Sequence, residues 1–123
     1  MSAANFFFTE KEAYNLRTVS LTTASGDITY TAKTGRVADN FVIDKVIKVT
    51  STATYSMTIT VPDGVYYGQT LLVLFEVEAS SETVDVSTTT GDDATQMTAA
   101  GGYWYGMWMG DTIGWATISG SAT

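Results

Sequence analysis

Tyr55-Ser56-Met57-Thr58-Ile59-Thr60-Val61, followed at once by Pro62-Asp63-Gly64, decides the fold class. In an extended chain Tyr55, Met57, Ile59 and Val61 fall on one face, and Ser56, Thr58 and Thr60 on the other. That is the pattern of a half-buried strand. Pro62 cannot donate to a ladder and Asp63-Gly64 favours a turn, so the strand stops there. The next segment, Thr70 to Ala79, is apolar on both faces in its first half, where Leu71, Val73, Phe75 and Val77 alternate with Leu72 and Leu74. Such a strand belongs in the middle of a two-layered β-structure or against another subunit.

The period of two extends outward in both directions. Leu16 to Thr23 and Ile28 to Lys33 read as short strands around Ala24-Ser25-Gly26-Asp27, a hairpin signal. Thr34-Gly35 breaks the chain, and Phe41 to Thr50 is a longer strand. Downstream, Ser80-Ser81-Glu82 is a turn, Val84 and Val86 alternate with polar residues, and residues 88–93 form a polar loop. Residues 95–100, 103–109 and 114–119 read as the last three strands, the final pair joined through Gly110-Asp111-Thr112. The sum is eight or nine strands and no long helix, which predicts an all-β, antiparallel β-sandwich or jelly-roll-like domain. No period of 20–50 residues repeats in the sequence, which argues against a propeller or solenoid.

Composition agrees. The chain has 123 residues, the length of one domain, and 39 of them are Val, Ile or Thr. β-branched side chains fit a pleated surface and lose rotamer freedom in a helix. The domain division that follows is an N-terminal arm over residues 1–15 and a single β-domain over 16–123. The chain contains no Cys and no His. Disulfides, thiol nucleophiles, thiolate or imidazole metal sites and the usual catalytic triad are therefore excluded. Six basic against thirteen acidic residues speak against nucleic-acid binding. No apolar run approaches the length of a membrane-spanning helix, and the N-terminus has no signal-peptide pattern. An initial Met reads as the start of a whole small product made in a cytoplasm.

Charge is unevenly placed. Residues 1–48 hold all six basic side chains and five acids; residues 49–123 hold no Lys or Arg and eight acids. The split reads either as a solvated acidic face or as polarity, one end docking and the other facing solvent.

The densest signal is aromatic: Tyr103, Trp104, Tyr105, Trp108 and Trp115, with Met97, Met107 and Met109. Trp104 and Trp108 fall on one strand face, Tyr103, Tyr105 and Met107 on the other, and one small core can absorb only one of them. The cluster is compatible with monomer core, with a sugar-binding platform, or with a subunit interface, where Trp, Tyr and Met concentrate. The interface candidates are Tyr103, Trp104, Tyr105, Met107 and Trp108. Phe6-Phe7-Phe8 stands outside the period-two pattern. It reads as a strand folded back on its own core or as an anchor in a partner's groove, with Lys11 and Arg17 beside it. Glu76 with Glu78 and Asp92 with Asp93 are the carboxylate pairs to weigh for hydrolysis, and Asp63, Asp92 and Asp93 for calcium. Neither matches a motif, so no catalytic residue, metal or cofactor is expected. Gly101, Gly102, Gly106 and Gly110 follow no phosphate-loop spacing and read as turn and bulge residues.

Residues 62–118 resemble a module of tailed-bacteriophage virion proteins. The resemblance is carried by Pro62 to Gly68, the strand Leu71 to Val77, Val84-Asp85-Val86, Gly91-Asp92-Asp93, Met97-Thr98-Ala99-Ala100-Gly101 and Gly110-Asp111-Thr112-Ile113-Gly114-Trp115. Such modules occur in head decoration (cement) proteins and in tail-fibre knobs, often as trimers. The resemblance implies a non-enzymatic homotrimer on the outer surface of the virion capsid, with the major capsid protein as partner. Phe6, Phe7, Phe8, Lys11 and Arg17 would be its capsid-anchoring residues. The alternative it leaves open is a receptor-binding knob that recognises a host surface glycan.

Overall fold

The structure is a computed structural model. It describes residues 15–23, 28–37, 40–51, 56–80, 82–92 and 96–123; at 15, 28, 36, 37, 40 and 41 it describes the backbone alone. Tyr55, the first residue of the expected strand, and residues 1–14 of the expected arm lie outside the described residues, while Asn15, expected at the end of the arm, starts a strand. Those described form nine strands and no helix: β1 Asn15–Thr23, β2 Ile28–Thr31, β3 Thr34–Val37, β4 Asn40–Ser51, β5 Met57–Val61, β6 Thr70–Val77, β7 Val84–Thr88, β8 Tyr103–Trp108 and β9 Trp115–Ser121. The all-β expectation holds. Burial follows the period of two: Met57, Ile59 and Val61 are buried with Thr58 and Thr60 between them, and Leu71, Val73 and Phe75 are buried between half-exposed Leu72 and Leu74.

The pairing departs from expectation. Sheet A runs β1-β4-β6-β8-β9, with β3 also on β4, and sheet B runs β2-β5-β7. Four of the seven ladders among the described residues are parallel: β1–β4, β4–β6, β2–β5 and β5–β7. The antiparallel expectation, and with it jelly-roll connectivity, is therefore corrected. So is the hairpin around residues 24–27, because β1 and β2 lie in different sheets. Thr34-Gly35 begins β3, a short strand antiparallel to β4, where a break was expected. Of the strand expected over 95–100, the described residues 96–100 hold one bridge, Met97 to Val84.

The parallel ladders have a common origin. A parallel pair needs a connection of a dozen or more residues, usually a helix. Here the connection is a strand of the opposite sheet. The chain passes from β1 in sheet A to β2 in sheet B, returns to β4 beside β1, crosses to β5 beside β2, and repeats through β6 and β7. Register partners are a full winding apart, from 26 residues (Val46 to Leu72) to 29 (Ile28 to Met57). This solenoid-like winding overturns the argument from missing repeats. Stacked positions share only their apolar character, not their side chains. One inward row runs Val19, Ile47, Val73, Trp104 and the next Leu21, Val49, Phe75. Identity is not needed where the only constraint is facing one core.

That core is a single cluster drawn from both sheets. Ile47, Val49, Leu71, Val73 and Phe75 of sheet A pack with Met57, Ile59, Val61, Val84 and Val86 of sheet B. The antiparallel pair β8–β9 then closes the growing end. It covers the edge of β6 and adds Trp104, Trp108 and Trp115 to the cluster. A wound stack needs such a cap, since its last rung otherwise presents apolar surface and unpaired backbone.

Candidate interaction surface

The outer face of sheet A is the least ordinary surface of the molecule. In-register neighbours share a face, so Val46, Leu72 and Tyr105 form one row across three strands, and Lys48, Leu74 and Tyr103 the next. Met107 lies opposite Thr70 in the adjoining row. All these side chains are half-exposed. Among the described side chains, the charges on this face are Lys45, Lys48 and, at the far end, Glu76. A bulge in the β1–β4 ladder skips Lys45 and lets its Nζ reach Thr70 Oγ1 at 2.8 Å. By contrast, the outer face of sheet B is polar: Thr29, Thr58 and the carboxylate of Asp85 form one row and Thr31, Thr60 and Ser87 the next.

A second apolar patch sits on two loops held side by side. Residues 62–69 connect β5 to β6, and residues 109–114 connect β8 to β9. Gly68 N donates to Trp108 O at 3.0 Å. The Tyr67 hydroxyl lies against Gly110, where a Cβ would come within 2.6 Å of it; with φ at +91° that position favours glycine. Buried Gln69 fixes the first loop: its side chain accepts from Val65 N at 2.7 Å and donates to Thr34 O at 2.9 Å. Trp115 Nε1 donates to Pro62 O at 2.8 Å from below. On this rigid tip Tyr67 is 73% exposed, Ile113 59% and Val65 42%. The only charged residues in the two loops are Asp63 and Asp111.

Two of the five interface candidates are corrected. Trp104 and Trp108 are buried in the protein's own core. Each meets Trp115 edge-on, at ring-centroid distances of 6.1 and 5.7 Å, and Trp104 Nε1 donates to Thr117 Oγ1 at 2.9 Å. Three indoles on facing positions fill the cap, which leaves none of them for a glycan platform or a partner. Tyr103, Tyr105 and Met107 stay on the outer face, and Tyr103 bonds Ser119 Oγ at 2.6 Å. Of the anchoring candidates, Phe6, Phe7, Phe8 and Lys11 lie outside the described residues. Arg17 pairs with Asp44 and also donates to the Tyr30 hydroxyl at 3.1 Å. Its charge is tied into a local network.

That network was not legible in the sequence, because its members lie in β1, β2 and β4. The buried Asp44 carboxylate accepts from the Arg17 guanidinium, from Tyr30 Oη at 2.7 Å and from Lys33 N at 2.9 Å. The hydrogen bond to Asp44 raises the Arg17 pKa above its ordinary value, against the opposing effect of desolvation. Burial, helped by the bond to Asp44, pushes Tyr30 up to about 12. The arrangement fixes two strands of sheet A to sheet B. Elsewhere, Asp92 accepts from Thr117 N at 3.2 Å. Among the described residues no group of three or more carboxylates is placed to hold a metal ion.

No protein-family model matches the chain, and no curated protein matches it significantly.

Proposed function

We propose that the protein is a bacteriophage head decoration protein, which binds the outer surface of the assembled capsid and stabilises it by bridging capsomers. The observation that carries this reading is the outer face of sheet A. A chain whose core is complete still holds a half-exposed band of Val, Leu, Tyr and Met, and such patches belong to association surfaces. Charge supports a polarity: the band carries lysines, whereas Asp63, Asp85, Asp92 and Asp111 lie on other surfaces. The resemblance of residues 62–118 to phage virion modules supplies the partner, the major capsid protein, and the homotrimeric state. In this reading the protein has no catalytic role and resides on the virion. It is a sandwich-like domain with the residues before β1 as an extended arm, and Phe6, Phe7, Phe8 and Lys11 are the anchor. A ligand that binds only the assembled shell stabilises it by mass action.

The test is co-sedimentation of the purified protein with assembled heads and with unassembled capsid protein. Binding to heads alone, with a raised temperature of head disruption, is the expected result. Indifference to both would overturn the reading. The glycan-binding knob is the second reading, and burial of all three Trp side chains counts against its aromatic platform.

A further inference from the structure

We infer that the two apolar patches are complementary halves of one self-association contact: the loop tip of one copy docks on the outer face of sheet A of the next. The occupant is a second copy of this chain, and charge selects it. The tip offers Tyr67, Ile113 and Val65 flanked by Asp63 and Asp111, with no basic residue in either loop. The sheet face offers Leu72, Leu74, Tyr105 and Met107 flanked by Lys45 and Lys48, with Glu76 at its far end away from Met107. Tip on tip would bring carboxylates together, and face on face would bring lysines together. Tip on face pairs opposite charges around an apolar centre, the arrangement that fixes register and rejects wrong partners.

The shapes agree with this assignment. The tip is held by the hydrogen bonds of Gln69 and Trp115, and Gly68, Gly110 and Gly114 supply the positive φ that its turns require. Little ordering entropy remains to be lost when it docks. The sheet face is broad enough to receive it, since β4, β6 and β8 span about 10 Å at a strand spacing of about 4.8 Å. The contact joins unlike patches, so it is heterologous, and the homotrimer of the proposed function is the case in which its rotation closes into a ring. It explains why Tyr67, the most exposed large apolar side chain described, is held in place and not left on a mobile loop. The inference concerns the protein alone and does not depend on what the assembly decorates.

Light-scattering mass measurement on the purified full chain tests it, with no capsid present. The wild-type chain is expected to exceed its monomer mass of 13.2 kDa at concentrations of about 10–100 µM. Lys48→Glu and Asp111→Lys are surface changes, and each should weaken assembly by roughly ten-fold or more. The two reversals together in one chain should restore it, because the pair is again opposite in sign. Tyr67→Ser should dissolve the assembly with the circular dichroism spectrum unchanged. A wild-type monomer throughout that range, single reversals that assemble like wild type, or a double reversal no better than the singles would each overturn the inference. A monomer that still co-sediments with heads would leave the decoration reading standing without it.

Discussion

At the scale of single residues, a half-buried tyrosine and a buried glutamate set how stability responds to pH. Tyr30 gives its proton up only near pH 12, because burial and the bond to Asp44 favour the neutral phenol. An unfolded chain releases that proton near 10, so the folded state binds it more tightly. The contribution is complete below pH 10 and is lost as pH rises from 10 towards 12. Tyr30→Phe should therefore remove a phenol transition near pH 12 from an absorbance titration and reduce the fall in stability between pH 10 and 12; an unaltered titration would show that another tyrosine carries it. Glu82 has the opposite sign. Desolvation is the largest influence on it and raises its pKa. Hydrogen bonds from Ser80 N, from Ser51, from its own N–H and from Ala79 N together outweigh that and hold it at about 2. It closes the corner between β6 and β7. Its folded pKa lies below the ordinary 4.5, so its contribution is present above pH 4.5 and disappears as pH falls towards 2. Glu82→Gln should melt at a lower temperature than wild type at pH 7, with the gap closing near pH 2. A gap that stays constant with pH would assign the corner to packing instead of charge.

At the scale of elements, β8 shows what a sequence reveals and what it hides. Its alternation was legible: Trp104 and Trp108 share one face, and Tyr103, Tyr105 and Met107 share the other. Which face is inward was not, because that depends on β6, and the register Val73–Trp104 is not local. Gly106 lies between the two indoles, and a Cβ there would stand 2.2 Å from the Trp104 ring. Gly106→Ala should destabilise the protein by about 1–3 kcal/mol, the usual cost of overpacking a core, read from the urea midpoint. A neutral result would mean that the ring can shift while keeping its bond to Thr117. The sheet face was legible in the same partial way. Leu72 and Leu74 marked β6 as apolar on both sides, but Val46 and Lys48 join them only through the parallel β4–β6 ladder. The tip was invisible, since Tyr67 and Gly110 are brought together by non-local bonds, Gly68 N to Trp108 O, Trp108 N to Gln69 O and Trp115 Nε1 to Pro62 O. Local alternation identifies strands. Parallel or antiparallel pairing depends on where the chain goes between them, and loop residues such as 24–27 fit a hairpin and a crossing equally well.

At the scale of the whole molecule, the winding makes the two ends of the chain unequal. Each rung of β1, β4 and β6 is supported by the next, and the stack is finished by β8 and β9. Those two strands pair with the last rung and contribute Trp104, Trp108 and Trp115 to the common core. Removing residues 103–123 would strip those three indoles and expose the β6 edge, with Leu71, Val73 and Phe75 on one side and Leu72 and Leu74 on the other. An apolar strand of that kind without a neighbour is a template for aggregation. This truncation should yield insoluble or molten protein, judged by loss of the near-ultraviolet signal of packed tryptophan. Residues 1–14 precede the first period-two segment, so deleting them should preserve the β-fold and its melting transition within about 0.5 kcal/mol. The same deletion should abolish co-sedimentation with heads if Phe6, Phe7 and Phe8 are the anchor. Salt separates this mechanism from an electrostatic clamp. The Debye length shrinks to a few ångströms at about 0.5 M while apolar burial is untouched, so the intact protein should release only modestly there. An arm-deleted protein that still occupies heads fully would assign docking to the β-domain itself. One that no longer folds would make the first residues part of the winding, as a further rung before β1.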